Sequence, residues 1–372
     1  MFGLYVHVPF CRRKCIYCNF YSVAHLASRI PFLATLQEEM AFRGQAVTVP
    51  VSTLYFGGGT PTLLSIEELE KIMTYVKQVF DISALEECTI EANPEDLTTG
   101  YCQQLISLGF NRISIGIQST NDLILQHLRR RHTAKEAIDA VYRAYEAGFS
   151  NISIDLIYGL WERSLHMWKD ELTVASRLPI THISAYALTV EENTCLYRQL
   201  KKKQQPVVDE HQFVSEYYLL KEFIQKAGFF QYEISNFALP GYHSRHNSNY
   251  WQHIPYMGFG PSAHSFMKNT RTQNANTLDL YIKNAKNKCF TVESESLTEH
   301  DMYNEYIMLG LRTTRGVSIK KIREQFGTSL ETHLINELYN IQNQYYTLNN
   351  EQLSLTTDGQ LVSDYLIHRL FI

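Results

Sequence analysis

The first half of the chain alternates short β-branched apolar runs with longer amphipathic ones. GLYVHV, STLYF, CTIEA, RISIGI, ISIDLIY and HISAYAL read as strands, being brief and rich in Val, Ile, Tyr and Phe. Between them IEELEKIMTYVKQVF, LTTGYCQQLISLGF, AKEAIDAVYRAYEAGF and LHMWKDELTVASRL place apolar residues at helical spacing. The strands look mostly apolar on both faces, as parallel strands between helix layers are. Six strand–helix units in succession predict an α/β fold with a parallel sheet, doubly wound or curved into a partial barrel. Polar groups gather at the strand ends: the first cysteines, GGGTP, Glu91, Gln118 and Asp155. Ligands bind at the carboxyl ends of such strands, so residues from Cys11 to Asp155 are expected to converge.

Past the charged run LKKKQQPVVDE, read as a solvated connection, the pattern weakens. FFQYEIS gives one more strand, followed by an aromatic, His-rich and irregular stretch. From about Leu297 a separate module begins, with helices in EHDMYNEYIMLGL, SIKKIREQF and LETHLINELYNI, short strands YYTLN and QLSLT, and a last helix. Three helices followed by a hairpin resemble a winged helix. The expected division is 1–235 for the core barrel, 236–296 for the His- and aromatic-rich segment, and 297–372 for the winged-helix-like α+β domain. Residues 301–372 carry six Lys and Arg against eight Asp and Glu, the wrong balance for gripping phosphates. This module therefore reads as packing or a lid, with no nucleic-acid partner.

Composition adds bounds. At 372 residues, 45% hydrophobic and 19% charged, the chain is an ordinary globular one, too long for a single common core. A net charge of -4 gives no electrostatic reason to meet nucleic acid or an anionic membrane. His7 and the charges at Arg12–Lys14 interrupt any secretory leader, and no run is long enough to span a bilayer. Membrane association is expected to be peripheral at most. Of seven cysteines, Cys88, Cys102, Cys195 and Cys289 are scattered and read as small buried hydrophobes. The odd count fits a reducing cytoplasm.

The other three, Cys11, Cys15 and Cys18, form a CxxxCxxC loop after the first strand. Structural zinc wants four protein ligands, and ferredoxin-type clusters use four cysteines. Three thiolates leave one iron of a four-iron, four-sulfur cluster open to an exchangeable ligand; a zinc loop or unliganded thiols are the plainer alternatives. STLYFGGGTPT runs a strand into Gly57, Gly58, Gly59, Thr60 and Pro61, and glycine lets backbone approach a ligand with no Cβ in the way. The absence of a Walker lysine and of GxGxxG disfavours phosphate cradling.

With HVPFCRRKCIYC, YFGGGTPT, IEANPE, RISIGIQS, IDLIYGL and ISAYALT in place, the chain resembles the radical S-adenosylmethionine superfamily, and within it the oxygen-independent coproporphyrinogen III oxidase family with its haem-chaperone branch. The resemblance covers most of the chain. It implies a partial (β/α)6 TIM-like barrel with a C-terminal winged-helix-like domain. It also implies a 4Fe-4S cluster held by Cys11, Cys15 and Cys18, with S-adenosylmethionine chelating the fourth iron through its amino and carboxylate groups. In the family, electron transfer cleaves the sulfonium and releases a 5′-deoxyadenosyl radical. The implied cofactor contacts are Tyr5 at the first strand, Tyr17 beside the adenine in place of the commoner Phe, and Gly58, Gly59 and Thr60 at the methionine end. Glu91, Gln118, Arg130 and Asp155 match the residues that hold amino acid and ribose. Carboxylates suit hydroxyls and ammonium, and a guanidinium suits a carboxylate. One departure stands out: the family usually follows YGL with Pro, and here Trp161 follows Leu160.

The oxidase resembles CxxxCxxCxC and carries an N-terminal extension. This chain has Phe20 at the fourth-cysteine position and begins its first strand within five residues of Met1. Both features point to the chaperone branch, as does His246-Asn247-Ser248-Asn249-Tyr250-Trp251, which matches the HNxxYW pattern associated there with haem. Haem needs an axial donor such as imidazole and an aromatic slot, so His246, Asn247, Tyr250 and Trp251 are the expected haem contacts, with His243, His253 and His264 as further candidates. The expected partners are haem, acceptor haemoproteins and a second copy in a homodimer. The competing reading is radical decarboxylation of coproporphyrinogen III propionates to vinyl groups.

Overall fold

The alternation in RISIGIQ and ISIDLIY decides the architecture. Ile113, Ile115, Ile152 and Ile154 are fully or nearly fully buried under helices, while the residues between them point the other way. In the computed structural model, which describes residues 1–202 and 209–372, six parallel strands lie side by side in sequence order. They are β1 (Gly3–Val8), β2 (Thr53–Gly58), β3 (Glu87–Ala92), β4 (Arg112–Gln118), β5 (Ile152–Tyr158) and β6 (His182–Ala187). Their helices are α1 (Arg29–Arg43), α2 (Ile66–Val79), α3 (Thr99–Leu108), the short α4 (Asp122–His127), α5 (Ala134–Ala147) and α6 (Leu165–Ala175). The connection after α7 (Cys195–Lys201) runs to α8 (Glu210–Lys226), and residues 203–208 of the charged run lie outside the described residues.

Local chemistry sets the helix limits. Ser65 and Thr133 cap α2 and α5 in reciprocal boxes with Glu68 and Glu136. Leu69, Ile72, Met73 and Val76 face the sheet from α2, and Gly148 ends α5 at φ 114°.

The inner face of the sheet departs from expectation. The strands are not apolar on both sides: one inward row runs Tyr5, Tyr55, Thr89, Arg112, and the next runs Glu91, Ser114, Ser153, His182. Asp155 and Ser184 pair above them. The outward face is the apolar one, with Leu4, Val6, Leu54, Phe56, Cys88 and Ile90 sealed beneath the helices.

The stretch at 236–296, expected to be irregular, is ordered structure that widens the same sheet. After β7 (Phe230–Glu233), β8 (Asn236–Ala238) and α9 (Arg245–Trp251), β9 (Tyr256–Phe259) pairs parallel with β1. β10 (His264–Met267), β11 (Thr270–Asn274) and β12 (Thr291–Ser296) continue antiparallel, and α10 (Leu278–Ala285) crosses back. Among the described residues the sheet has twelve strands in the order β12-β11-β10-β9-β1-β2-β3-β4-β5-β6-β8-β7. What anchors the extension is polar. Glu39 of α1, wholly buried, accepts from Gly260 N (2.8 Å), Asn274 Nδ2 (2.7 Å) and Tyr281 Oη (2.6 Å). Arg43 donates to Glu39, to Gly258 O and to Ser265 Oγ. A buried carboxylate so fully satisfied stabilises one arrangement over others.

The last module comprises α11 (Glu299–Leu311), β13 (Val317–Ser318), α12 (Ile319–Leu338, broken at Gly327), β14 (Tyr346–Asn349), β15 (Gln352–Leu355), α13 (Thr357–Leu361) and α14 (Ser363–Arg369). Its own core is Tyr303, Ile307, Leu311, Ile322, Leu334 and Leu353 among others, with a small β13-β15-β14 sheet as the wing. Among the described residues no helix is long and apolar enough to cross a membrane.

Candidate cofactor site at the mouth of the barrel

The cysteine loop leaves β1 and is tied down at both ends by backbone. Cys11 N donates to Val23 O at 3.0 Å, and Val23 N returns to Pro9 O at 2.7 Å. The glycines of GGGTP pack against it. A Cβ on Gly59 would lie 2.6 Å from Phe10 O, and one on Gly58, at φ 103°, would lie 2.6 Å from the His7 ring. Gly58 thus lets β2 lie against β1 and Gly59 lets it meet the start of the chain's own cysteine loop, where close approach to a ligand was the expectation.

Two of the expected residues, Thr60 and Arg130, form one connected group with the Cys11 and Cys15 thiols. Cys11 Sγ lies 3.5 Å from Thr60 Oγ1, which accepts from Asn93 Nδ2 at 2.9 Å. Arg130 reaches Cys15 Sγ at 3.4 Å, Asn93 Oδ1 at 2.7 Å and Gly116 O at 2.5 Å. A surface ion pair was the alternative for Arg130. Its neighbour Arg131 takes that role with Glu95 at 3.6 Å, while Arg130 turns inward and leaves its Nε buried without a partner. Burial holds the Cys11 thiol above its ordinary pKa and pushes Cys18 to about 11, so a metal bound there would have to displace protons.

Deeper in the barrel, Tyr5 stacks on Tyr55 at 6.1 Å, and Tyr55 Oη donates to Glu91 Oε1 at 2.7 Å. Gly58 N donates to the other Glu91 oxygen at 3.2 Å. Burial pushes Glu91 to about 7, and it raises Asp155 as well, against the hydrogen bonds from Ser184 and Ser114. Glu91 and Asp155 lie within β3 and β5 and not beyond their ends, and both project into the barrel. Gln118 closes β4 in a left-handed turn at φ 65°, beside an irregularity in the β4–β5 register. Tyr17 is half-buried on a small core of Ile16, Ile124, Leu128, Ile157, Leu160, Trp161 and Leu196.

That core answers the departure at Trp161. The indole is buried beneath the cysteine loop, and Leu196 N of α7 donates to Ile16 O at 2.9 Å. Trp161→Ala should cost about 3–5 kcal/mol, as other buried Trp truncations do, and loosen the loop from below. A drop in the denaturation midpoint with faster bleaching of any bound chromophore is expected; an unchanged midpoint would put the indole outside the core.

Among the described residues no three His, Cys, Asp or Glu side chains gather round one point as ligands of a single ion would. A cubane asks for something else: three thiolates, each at its own corner. Three free thiols, a buried guanidinium with an unpaired Nε and two inward carboxylates fit a cluster with a polar, amino-acid-bearing ligand at its open corner.

The chain matches the Radical SAM superfamily over residues 5–172 and the HemN C-terminal domain over residues 297–362. A protein of Bacillus subtilis named heme chaperone HemW is 34% identical over 98% of this chain and 97% of its own length. Its namesake in Lactococcus lactis is 33% identical over 95% and 93%. The chain belongs to the HemW family of radical SAM proteins. The solved coproporphyrinogen III oxidase (HemN) of Escherichia coli, 21% identical, superposes with a TM-score of 0.87 over all of this chain and 90% of that one, which gives the family its barrel and C-terminal domain.

The HNxxYW stretch characteristic of the expected haem contact forms α9, and it does not present His246 to an open face. Glu87 takes the backbone N–H groups of Arg245 and His246 at 2.8 and 2.9 Å. The His246 ring is 1% exposed, stacks on Tyr55 at 5.1 Å, and uses both nitrogens: Nδ1 with Thr53 Oγ1 at 2.9 Å and Nε2 with Tyr250 Oη at 2.8 Å. Burial lowers its pKa to about 3. As placed, it is a sealed, neutral core residue with no lone pair free for iron. Asn247 Nδ2 lies 3.5 Å from the Tyr232 hydroxyl and its side chain also meets Glu233, and Trp251 lies half-buried under Arg312 at 5.8 Å. His243 is exposed beside Tyr232.

Sequence reasoning missed Asn93, Tyr55, Arg112 and Ser184, all in the inward rows or joined to Arg130. A period-two reading of the strands would have found Tyr55 and Arg112; Ser184 stands alone in an apolar run, and Asn93, in the Asn-Pro turn after β3, had only that turn as a signal. Of the scattered cysteines, Cys88 and Cys102 are buried as expected, whereas Cys195 is half-buried and Cys289 exposed.

Proposed function

We propose that this protein is a haem chaperone that binds haem and hands it to acceptor haemoproteins, and that it carries a 4Fe-4S cluster and S-adenosylmethionine. The observation that carries the reading is the end-to-end likeness to proteins named heme chaperone HemW, at 33–34% identity with no large uncovered part on either side. Phe20 supports it: the position where the oxidase resembles a fourth cysteine holds a phenyl ring 68% exposed.

On this reading Cys11, Cys15 and Cys18 hold the cluster, which with its bound nucleotide supplies one-electron chemistry at a sulfonium. Arg130 neutralises the cluster thiolates from one side and offers its remaining N–H to a carboxylate. Glu91 and Asp155 accept from ammonium and ribose hydroxyls, and Tyr5, Tyr17 and the small core under Trp161 exclude water. Gly58 and Gly59 hold the Glu91 strand and the cysteine loop in contact.

The test is anaerobic reconstitution followed by parallel haem titration and a coproporphyrinogen assay with reductant. Near-stoichiometric haem and no porphyrin turnover are expected. Measured conversion to protoporphyrinogen would transfer the chain to the oxidase reading.

A further inference from the structure

The strand end that carries Gln118 is an awkward piece of backbone. Between Ile115 and Gln118 the β4 ladder slips against β5, the kind of irregularity that re-aims a side chain beside a site. Gln118 then adopts a left-handed conformation, φ 65°, which a residue other than glycine keeps only where its surroundings dictate it. Arg130, past the end of α4, returns to the same place. A Cβ on Gly116 would lie 2.9 Å from Gln118 Nε2 and 3.5 Å from Arg130 Nη2, so the two side chains converge above a residue that has none.

What dictates this geometry lies outside the barrel wall. Glu171 of α6 is 2% exposed, and its Oε2 accepts from Ser119 Oγ at 2.5 Å and from Thr120 N at 3.1 Å. Those are the residues that follow Gln118. Ser119 Oγ in turn accepts from Asn121 N at 3.1 Å, and Asn121 Oδ1 caps α4 by accepting from Leu123 N and Ile124 N. From α4 the chain reaches Arg130, whose backbone N–H donates to Leu125 O at 2.8 Å. One carboxylate therefore fixes both the strand end before the turn and the helix after it.

Behind it, Arg163 lies 3.6 Å from Glu171 Oε1, an oxygen with no hydrogen-bond partner among the described residues. The same guanidinium donates to Ile157 O at 2.9 Å and to Glu216, which accepts from Gly159 N at 2.7 Å. The charge that holds the end of β4 is thus tied to the end of β5, the strand of Asp155. Stability alone does not call for a buried ion here, since well-packed apolar residues commonly serve as well or better. A turn that must keep one conformation does call for a satisfied polar network.

We infer that Glu171 is a positioning residue for the nucleotide: through Ser119 and Thr120 it sets the spacing between Gln118 and Arg130 on this side of the barrel. The inference rests on the reading of Gln118 and Arg130 as S-adenosylmethionine contacts, and it extends that site to a residue that touches neither cluster nor nucleotide.

Titration calorimetry with S-adenosylmethionine on the full-length protein, reconstituted without oxygen, tests this. Glu171→Gln should keep the 4Fe-4S absorption and bind the nucleotide about 10-fold more weakly, the lower end of the losses when a residue that orients direct contacts is changed. Ser119→Ala, a smaller disturbance, should shift affinity in the same direction. The double variant should lose no more than Glu171→Gln alone, because the two residues lie on one path. Glu39→Gln supplies the comparison: it removes an equally buried carboxylate beside β9 and should melt lower while keeping wild-type affinity. A merely structural Glu171 would behave like Glu39. Wild-type affinity in Glu171→Gln, or an equal loss in Glu39→Gln, overturns the inference. Should Glu171→Gln fail to fold, Ser119→Ala set against Glu39→Gln decides by the same rule. An unmodified protein with a full cluster that binds no S-adenosylmethionine sinks the nucleotide reading itself, which is a different result from either.

Discussion

Cys15→Ala, purified and reconstituted without oxygen, is expected to show no 4Fe-4S absorption and no spectral response to S-adenosylmethionine. Only three thiols lie in the loop, so the variant has two thiolates for three corners; Cys195 packs on the small core beneath the loop and is not one of them. Among the described residues, the other free cysteines sit in the barrel core, on α7 or on the surface at Cys289. Cys15 is also the thiol that Arg130 reaches, at 3.4 Å, so the substitution removes one of the partners of a nearly buried guanidinium, leaving Asn93 and Gly116. Some stability is lost with it, which makes the control important. Cys195→Ala, on the half-buried first turn of α7, removes a thiol of similar setting and should leave the cluster spectrum unchanged. Metal analysis completes the measurement. A full cluster in Cys15→Ala, or zinc in place of iron in the unmodified protein, would end the assignment of this loop.

The barrel was legible because its outward strand faces are short, β-branched and regular, and because turn and cap residues such as Ser65, Thr133 and Gly148 agree with them. The same strands misled where function lies. Ser114, Ser153 and Ser184 interrupt apolar runs too sparsely to look like a polar face, so strands polar inside read as apolar throughout. The widened sheet was illegible for a different reason. β9 and β10 have four residues each, and their pairing depends on Glu39 and Arg43, whose partners Gly258, Gly260, Ser265, Asn274 and Tyr281 are more than 200 positions away. No local pattern reports such a contact. His246 shows the limit of motif reasoning: the pattern finds the helix and misses which way its imidazole faces, because Thr53 and Tyr55 that enclose it belong to β2.

Glu91→Gln separates binding from stability, and the two should move in opposite directions. Burial raises the Glu91 carboxyl from its ordinary 4.5 to about 7, with Asp155 adding repulsion and the Tyr55 hydroxyl and Gly58 N–H only partly offsetting it. A carboxyl whose folded pKa is raised holds its proton longer in the folded state than in the unfolded one. Below about pH 4.5 both states are protonated and nothing is lost; as pH climbs through 7 the folded protein must carry a buried charge, and stability falls. That cost is on the order of 3 kcal/mol for a shift of this size. Glutamine keeps an acceptor for the Tyr55 hydroxyl and carries no charge, so the nucleotide-free variant should melt higher than the unmodified protein at pH 8 and about level with it at pH 5. Binding should go the other way. A charge-assisted hydrogen bond is worth roughly 1.5–3 kcal/mol, so S-adenosylmethionine affinity should drop about 10- to 100-fold. In the unmodified protein that affinity should also rise from pH 6 to pH 8, as Glu91 gives up its proton to meet a cationic ligand. Thermal melts at the two pH values and titration calorimetry with the nucleotide check both halves. A variant that melts lower at pH 8 would show that the carboxylate is not paying a burial penalty, and unaltered affinity would remove Glu91 from the nucleotide site.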